Sequence, residues 1–242
     1  MKHKYVFVCG LHRSGTSSLT KLIGSSSSEV SIHKNSGKPE NEGQHIQNVY
    51  PCGPIFDGPG NFAMHNVYHF TEKNALATPE NNKKILEQWG QFWDLTKPIL
   101  VEKSPPNTIH TRYLQQMVDD SYFVCIMRHP YIVALATRKW NPQTIEEHIM
   151  HWLRAYEILF NDLKKIKKYK IIKYEKLNAK KFEKEMSIFL NTKLSFDASI
   201  IENFLSSNYK YLEKNPIPDK LKNMFEHKIN KYGYSFNPPY WK

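Results

Sequence analysis

Long apolar runs and cysteine frameworks are both missing from this chain of 242 residues. No apolar stretch approaches the ~18 residues that indicate a membrane-spanning helix. No secretory leader pattern precedes the first predicted strand. Of the three cysteines, Cys9 and Cys125 fall within apolar runs, where buried, reduced thiols are more typical than disulfides. We therefore expect a cytoplasmic protein without a transmembrane segment.

Acidic residues are in the minority, since 34 lysines and arginines outweigh 23 aspartates and glutamates and give a formal net charge of +11. Such a surface attracts anionic partners, including nucleotides and nucleic acids. The densest lysine cluster follows a predicted helix, where cations complement the helix dipole, and no stacking motif of an RNA-binding sheet accompanies it. We expect the charge to recruit an anionic nucleotide or acceptor rather than nucleic acid.

Apolar strands alternate with amphipathic helices, a pattern that predicts an α/β fold with a central parallel sheet flanked by helices. The length suits one domain over residues 1–242. The predicted strands are Tyr5–Cys9, Ile99–Glu102, Tyr122–Met127 and Tyr169–Lys173. The predicted helices start at Ser17 (with Gly24 as the stop) and at Pro130, and cover Asn82–Leu95, Asn107–Val118, Ile145–Leu163, Phe182–Leu190 and Leu221–Ile229. Ligands of such sheets bind beyond the carboxyl ends of the strands.

Residues 34–60 are rich in glycine and proline and show no helical or strand periodicity. A structureless stretch of that length in a compact domain is usually a lid or a binding loop. We predict that residues 34–98 form a lid or acceptor-binding insertion. The aromatic residues near it are expected to pack mainly in the core: Phe62, Tyr68, Trp89, Phe92 and Trp93.

The most informative local pattern is a strand, a glycine-bounded loop and a helix start within residues 5–17. The loop runs from Gly10 to Gly15, and the helix after it aims backbone N–H groups and its positive dipole end at one point. This arrangement predicts an anion site. The glycines have the spacing of a nucleotide-binding P-loop, but Thr16 stands where a kinase needs lysine, and the cation, Arg13, lies inside the loop.

Residues 12–17, His-Arg-Ser-Gly-Thr-Ser, resemble the 5′-phosphosulfate loop of sulfotransferases that use 3′-phosphoadenosine 5′-phosphosulfate (PAPS). Three later segments resemble that family in the same order. Residues 101–107 resemble its Lys-Ser/Thr-Pro segment, residues 123–130 its strand leading to Arg-x-Pro, and residues 171–177 its strand ending in Tyr-Glu-x-Leu. The resemblance spans residues 5–177 and implies the P-loop-like sulfotransferase fold.

The resemblance also implies which residues hold the donor. The 5′-phosphate side would be bound by the loop residues His12, Arg13, Ser14, Gly15, Thr16 and Ser17. Arg13 and Lys103 would be catalytic cations that balance charge on the transferring sulfuryl group, so no metal is expected. Arg128 would hold the 3′-phosphate, and Tyr174 would contact the adenine side.

One position departs from the family pattern, which places a serine eight residues after the arginine of Arg-x-Pro. Ala136 occupies that position here. Thr137 and Arg138 follow it, and an arginine can bind phosphate through two parallel N–H groups. We predict that Thr137 and Arg138 compensate for the missing serine.

The acceptor hydroxyl or amine needs a general base. In the cytosolic small-molecule branch of the family, a histidine follows the lysine by two residues, but that position is Pro105 here. In the branch that modifies protein tyrosines, a glutamate after the first helix serves as the base, and Glu42 lies in the comparable region. His45 and His33 lie in the same segment and stay open as alternatives.

These features together predict a sulfotransferase that moves a sulfuryl group from PAPS to a hydroxyl or amine. The acceptor stays open between a carbohydrate, a lipid, a small alcohol or phenol, and a peptide. Two other functions stay open. One is a nucleotide kinase of the P-loop type, which Thr16 disfavours. The other is a non-catalytic module that binds an anionic nucleotide or polymer through its basic surface.

Overall fold

Five parallel strands form the central sheet in the computed structural model, which describes residues 2–52, 58–197, 199, 208 and 211–241. The strands are β1 (Lys4–Cys9), β2 (Val30–Ile32), β3 (Ile99–Lys103), β4 (Ser121–Met127) and β5 (Tyr169–Lys173). Their order across the sheet is β2-β3-β1-β4-β5, and each neighbouring pair is parallel. The predicted fold class is confirmed.

Helices cover both faces of this sheet. Those whose bounds lie wholly within the described ranges are α1 (Thr16–Ser25), α2 (Gly43–Ile46), α3 (Pro79–Gly90), α4 (Asn107–Met117), α5 (Pro130–Thr137), α6 (Ile145–Leu163), α7 (Ala179–Leu190) and α8 (Asp219–Asn230). Because side chains alternate along a strand, Phe7 belongs to the core cluster formed with α3, α4, α5, α6 and α8, whereas Val6 and Val8 belong to the cluster formed with α1 and α7. Within the described ranges, no helix has both the length and the apolar character to cross a membrane.

Helix α3 starts and ends earlier than the predicted Asn82–Leu95. The Thr78 hydroxyl caps the amino end, and Pro79 occupies the first turn, where its missing N–H costs nothing. The chain leaves the helix after Gly90, and the Trp93 indole then donates to the Val101 carbonyl oxygen at 2.9 Å. Packing against β3 therefore ends a helix that apolar spacing alone would extend.

Short elements lie within the predicted structureless stretch and beside it. Strand β2 has only three residues, too few for a periodic signal. A 3₁₀ turn at Pro39–Asn41 leads into α2, and two more follow at Phe62–Met64 and Asn66–Tyr68. Residues 53–57 of this stretch lie outside the described residues. The role of residues 34–98 as an acceptor-binding insertion stays a prediction.

The family-like segments meet at one edge of the sheet. Val8 is in register with Lys103, and Met127 is in register with Lys173, so the carboxyl ends of β1, β3, β4 and β5 lie side by side. The four segments therefore converge at the carboxyl ends of these strands. The loop after β1, Lys103, Arg128 and Tyr174 all lie at this edge.

Candidate active site

The loop between β1 and α1 has a backbone that requires its two glycines. A Cβ atom at Gly10 would lie 2.7 Å from the Ile126 carbonyl oxygen, and one at Gly15 would lie 2.8 Å from the Tyr174 ring. Gly15 also has a φ of 99°, in the left-handed region, as does Arg13 with a φ of 67°. The glycines therefore let the loop sit directly against the ends of β4 and β5.

Helix α1 begins with its first N–H groups available to an anion. Gly15 is the N-cap residue and provides no side-chain cap. The N–H groups of residues 16–18 have no carbonyl acceptor inside the helix, because they belong to its first turn. These three residues also border a cavity. The Ser14 hydroxyl points away from it and donates to the Leu11 carbonyl oxygen at 2.6 Å. An anion at this point would be held by backbone N–H groups and the helix dipole.

The cavity beyond the strand ends has a volume of about 660 Å³. That volume is typical of sites for small organic ligands. Both the loop and the 34–98 segment contribute to its walls. Eight of the predicted site residues line it: His12, Arg13, Gly15, Thr16, Ser17, Glu42, Arg128 and Tyr174.

Arg13 stands exposed at the rim of this cavity. Its Cζ atom lies 4.8 Å from the ring centroid of Trp140, which is 56% exposed and also lines the cavity. A cation over an aromatic face is attracted electrostatically and loses little hydration at a rim. His12 packs beside it, and burial lowers the pKa of His12 to about 4, so its imidazole is neutral at pH 7. Arg13 is thus the loop side chain that carries a positive charge.

Lys103 and Glu42 form a buried ion pair beneath the cavity. Lys103 Nζ donates to Glu42 Oε1 at 2.7 Å and to Ser17 Oγ at 3.2 Å. The side chains of the pair are only 4% and 7% exposed. Gln44 Nε2 donates to the second Glu42 oxygen at 2.5 Å, and His45 Nε2 lies 3.6 Å from that oxygen. Two predicted catalytic residues that are 61 positions apart in sequence therefore touch each other.

Arg128 bridges the loop and the end of β4. Its Nη1 donates to the Arg13 carbonyl oxygen at 3.0 Å, and its Nε donates to Asn208 Oδ1 at 2.7 Å. The guanidinium carbon lies 4.4 Å from the Tyr174 ring centroid. Asn208 in turn donates to Glu175 Oε1 at 3.0 Å. Burial lowers the pKa of Arg128 from its usual value. The guanidinium nevertheless stays protonated, as it does in proteins generally.

Thr137 and Arg138 lie at the end of α5. Neither is among the described residues that line the 660 Å³ cavity. Thr137 is 2% exposed and borders a small enclosed space beside Gly60 and His148. Arg138 is exposed. Their predicted part in binding the 3′-phosphate stays a prediction.

The three candidate bases occupy different environments. Glu42 and His45 line the cavity, and burial lowers the pKa of His45. His33 is not among the described lining residues. Its ring stacks on Trp93 at 4.3 Å between centroids, and burial lowers its pKa to about 3. The structure therefore brings two of the candidates, Glu42 and His45, to the cavity.

Three residues that shape this site have no role that the sequence predicts. Trp140 is a single exposed aromatic residue in a loop, without a local pattern. Asn208 reaches Arg128 from 80 positions away, which no short motif can predict. Glu102 lies inside the Val-Glu-Lys-Ser-Pro segment, where a signal was present, but a lone glutamate in an apolar strand does not say what it contacts. Of the five aromatic residues expected mainly in the core, Phe62, Tyr68, Trp89 and Trp93 are buried there, whereas Phe92 is half-buried and lies outside that core cluster.

Metal-ligand geometry gives no further site. No group of three or more histidine, cysteine, aspartate or glutamate residues in the described part of the chain is arranged to hold a metal ion. His148 and His151, three positions apart on α6, contact the Asn141 carbonyl oxygen and the Phe62 ring instead. The cationic side chains described at the site are Arg13, Lys103 and Arg128.

Comparisons with known proteins bear on the fold and the family. No curated protein sequence matches the chain. Sulfotransferase STF1 from Mycobacterium tuberculosis H37Rv has a similar structure, with a TM-score of 0.50 and 14% identity over 86% of this chain and 72% of that one. A sulfotransferase from Alicyclobacillus acidocaldarius gives a TM-score of 0.53 and 15% identity over 96% of this chain and 94% of that one. At such identities the likeness shows the fold alone.

The family follows from the sequence match, which covers most of the chain. Residues 6–188 match the profile of the sulfotransferase family, a range that includes the glycine-bounded loop, Lys103, Arg128 and Tyr174. The chain belongs to the sulfotransferase family.

Proposed function

We propose that this protein transfers a sulfuryl group from PAPS to a hydroxyl or amine group of an acceptor. The observation that carries the proposal is the meeting of the anion-binding loop, the Lys103–Glu42 pair and Arg128 around one cavity. Membership of the sulfotransferase family supports sulfuryl transfer in general. The donor and the base are our proposals.

Two parts of the cavity lining suit the two phosphates of this donor. The N–H groups at the start of α1 suit the 5′-phosphate, because they present several donors and a positive dipole end to one anion. Arg128 suits the 3′-phosphate, and Tyr174 beside it offers a ring to the adenine side. Thr137 and Arg138 are proposed as additional contacts for the 3′-phosphate.

Arg13 and Lys103 act on the charge that develops during transfer. The bond between the acceptor oxygen or nitrogen and sulfur forms while the bond between sulfur and the bridging oxygen of the 5′-phosphate breaks. The electron pair of the broken bond stays on that oxygen, and 3′-phosphoadenosine 5′-phosphate leaves. Two cations already in place stabilise this charge without reorganisation, which is the largest effect available to such a site.

Glu42 removes the acceptor proton. Its carboxylate is buried, faces Lys103 and borders the cavity, so it is held where an acceptor group would approach. A carboxylate in this place can accept the proton of the acceptor group as the bond to sulfur forms. His45 is the second candidate, because its ring lies beside Glu42 and lines the same cavity.

A transfer screen tests this proposal. PAPS with a labelled sulfuryl group is incubated with panels of carbohydrates, phenols, lipids and peptides, and we expect label on members of one class. Glu42→Gln should slow the transfer strongly and His45→Gln weakly. The reverse order would make His45 the base. ATP with Mg²⁺ and the same panel is the kinase control, and tight nucleotide binding without any transfer would favour the non-catalytic alternative.

A further inference from the structure

Glu102 is a buried acidic residue one position before Lys103 on β3. Successive side chains on a strand point to opposite faces, so Glu102 lies on the face opposite to Lys103. Its exposure is 1%, and its carboxylate accepts three hydrogen bonds. The donors are the Gly43 N–H at 3.0 Å, the Ser104 hydroxyl at 2.6 Å and Asn107 Nδ2 at 2.5 Å.

These contacts replace the cap that helix α2 lacks. Glu42 is the N-cap residue of α2, and its side chain does not cap the helix because it faces Lys103. The first N–H groups of α2 therefore need other acceptors. Glu102 accepts from the Gly43 N–H, and Ser104 Oγ accepts from the Gln44 N–H at 3.0 Å while donating to Glu102. A carboxylate on β3 thus anchors the two residues that follow Glu42.

The anchor holds Gly43 from two sides. A Cβ atom at Gly43 would lie 2.6 Å from Glu102 Oε1 and 2.8 Å from the Trp89 ring, closer than side chains tolerate. Trp89 Nε1 also donates to the Gly43 carbonyl oxygen at 2.9 Å. The peptide groups around Gly43 are therefore fixed by a donor, an acceptor and close packing. Gln44, the next residue, returns a hydrogen bond to the Glu42 carboxylate.

The network needs a carboxylate in particular. One Glu102 oxygen serves Gly43 and Ser104, and the other serves Asn107, so both oxygens act as acceptors. Burial raises the pKa of Glu102 to about 7, and the three donors oppose that effect. A glutamine would place an N–H₂ group opposite one of these donors and leave a buried polar group unpaired.

We propose that Glu102 is a positioning residue for sulfuryl transfer, holding the N–H groups of Gly43 and Gln44 so that the Glu42 carboxylate stays beside Lys103 at the cavity. Glu102 itself does not touch the reacting groups. The proposal rests on the proposed role of Glu42 as the base. It adds that the geometry of that base is set from the opposite face of β3.

Amide hydrogen exchange tests the anchor without any acceptor. In Glu102→Gln, peptides covering residues 42–47 should exchange about tenfold faster than in the unaltered protein, because the α2 amides lose their acceptor. Glu226→Gln is the matched control. Glu226 also accepts from one hydroxyl, that of Ser235, and from one backbone N–H, that of Phe236. Its loss should leave the amide exchange rates of residues 42–47 unchanged. Equal exchange in Glu102→Gln and the unaltered protein would overturn the proposal.

A double-mutant cycle tests the catalytic consequence. The readout is 3′-phosphoadenosine 5′-phosphate released from PAPS with water as the acceptor. Glu102→Gln should lower kcat by about 10- to 100-fold, since a displacement of the base of about 1 Å has that effect, and should leave the affinity for the product nucleotide unchanged. In a Glu42→Gln background it should lower kcat by less than about twofold, because the base that it positions is already absent.

Three outcomes separate the anchor from the proposed base. A full additional loss in the Glu42→Gln background would show a general structural effect and overturn the positioning role. Unchanged kcat in Glu42→Gln alone would reject the proposed base, and the positioning role with it, while the exchange result would still report on the anchor. If Glu102→Gln does not fold, Ser104→Ala is the substitute: it removes the acceptor of the Gln44 N–H and one donor to Glu102, and it should give the same two effects at smaller size.

Discussion

Lys103 Nζ lies 2.7 Å from Glu42 Oε1, and both side chains are almost completely buried at the end of β3. The contact joins the residue proposed to stabilise the sulfuryl group to the residue proposed to accept the proton. Each charge is compensated by the other while the donor is absent. A sulfuryl group entering beside Lys103 would share that cation and leave the Glu42 carboxylate to the acceptor.

Removal of one partner of this pair should destabilise the fold. Lys103→Met leaves the Glu42 carboxylate buried without its cation, which typically costs about 3–5 kcal/mol. Adding Glu42→Gln removes the stranded charge, so the double variant should recover most of that free energy of unfolding. Turnover should stay low in both, because the cation is missing in both. Urea unfolding and PAPS turnover measure the two effects.

The exposed pair Lys220–Glu146 is the control for that measurement. It has a similar distance of 2.9 Å, but Lys220 is 72% exposed, so Lys220→Met should cost less than about 1 kcal/mol and leave turnover unchanged. A double variant as unstable as Lys103→Met would contradict the ion-pair account. Recovery of turnover in the double variant would contradict the role of Lys103.

Arg13→Ala should lower turnover much more than it weakens binding of 3′-phosphoadenosine 5′-phosphate. The backbone N–H groups at the start of α1 remain to hold the 5′-phosphate, whereas the breaking bond loses its cation. Loss of one such group typically lowers the rate by about 10²–10³-fold. Arg154→Ala, which removes a partly exposed arginine that contacts Glu157 and Asn66, is the control and should leave turnover unchanged. If Arg13→Ala turns over at the wild-type rate, the assignment of the loop to the sulfuryl donor is wrong.

Arg128 should allow the protein to distinguish nucleotides by their 3′-phosphate. At about 100 times its dissociation constant, 3′-phosphoadenosine 5′-phosphate should stabilise the fold by about 2.7 kcal/mol. At that same concentration adenosine 5′-phosphate should stabilise much less. Arg128→Lys should reduce the difference in stabilisation between the two nucleotides, because lysine lacks the planar guanidinium that contacts the Arg13 carbonyl oxygen, Asn208 and Tyr174. Equal stabilisation of the unaltered protein by both nucleotides in a thermal-shift assay would exclude a 3′-phosphate site.

The sequence predicted the parts of this site that depend on contiguous residues. The loop of residues 10–17 combines apolar residues, two glycines and a helix start, and each of these has a local physical meaning. The parallel order of the strands then brings Lys103, Arg128 and Tyr174 to the same edge. Local patterns therefore predicted both the fold class and the edge of the sheet where the cavity lies.

The long-range contacts could not be predicted from the sequence. Nothing near Glu102 indicates that its carboxylate caps α2, because Gly43 is 59 positions away. Asn208 contacts Arg128 across 80 positions, and β2 owes its three-residue length to pairing with β3 rather than to its own periodicity. Tertiary packing decided these features, as it decided where α3 ends.

Acid should destabilise this protein partly through His33. Burial beside Trp93 lowers the pKa of His33 to about 3, compared with 6.5 for an ordinary histidine. Between those pH values the unfolded chain takes up a proton here that the folded chain does not, so the free energy of unfolding falls as the pH drops below 6.5. The expected slope is about 1.4 kcal/mol per pH unit, and the stability from this residue is fully present above pH 6.5.

His33→Phe should remove the contribution of this residue to the pH dependence of the free energy of unfolding. Between pH 7 and pH 5 its loss of unfolding free energy should be about 2 kcal/mol smaller than that of the unaltered protein. His227→Phe replaces an exposed histidine and should keep the original slope. Chemical denaturation at the two pH values measures both. Identical slopes in His33→Phe and the unaltered protein would contradict the burial account, and a large loss of turnover in His33→Phe would reopen His33 as the base.

A single-turnover experiment decides whether this protein transfers a sulfuryl group. Excess protein is mixed with PAPS carrying a labelled sulfuryl group and with the acceptor panel, and both products are counted. We expect label on one acceptor class together with an equal amount of 3′-phosphoadenosine 5′-phosphate, and a loss of both products in Arg13→Ala and in Lys103→Met. Tight binding of the nucleotide with no label transferred to any class, or transfer that persists in both variants, would contradict the proposed sulfuryl transfer at this site.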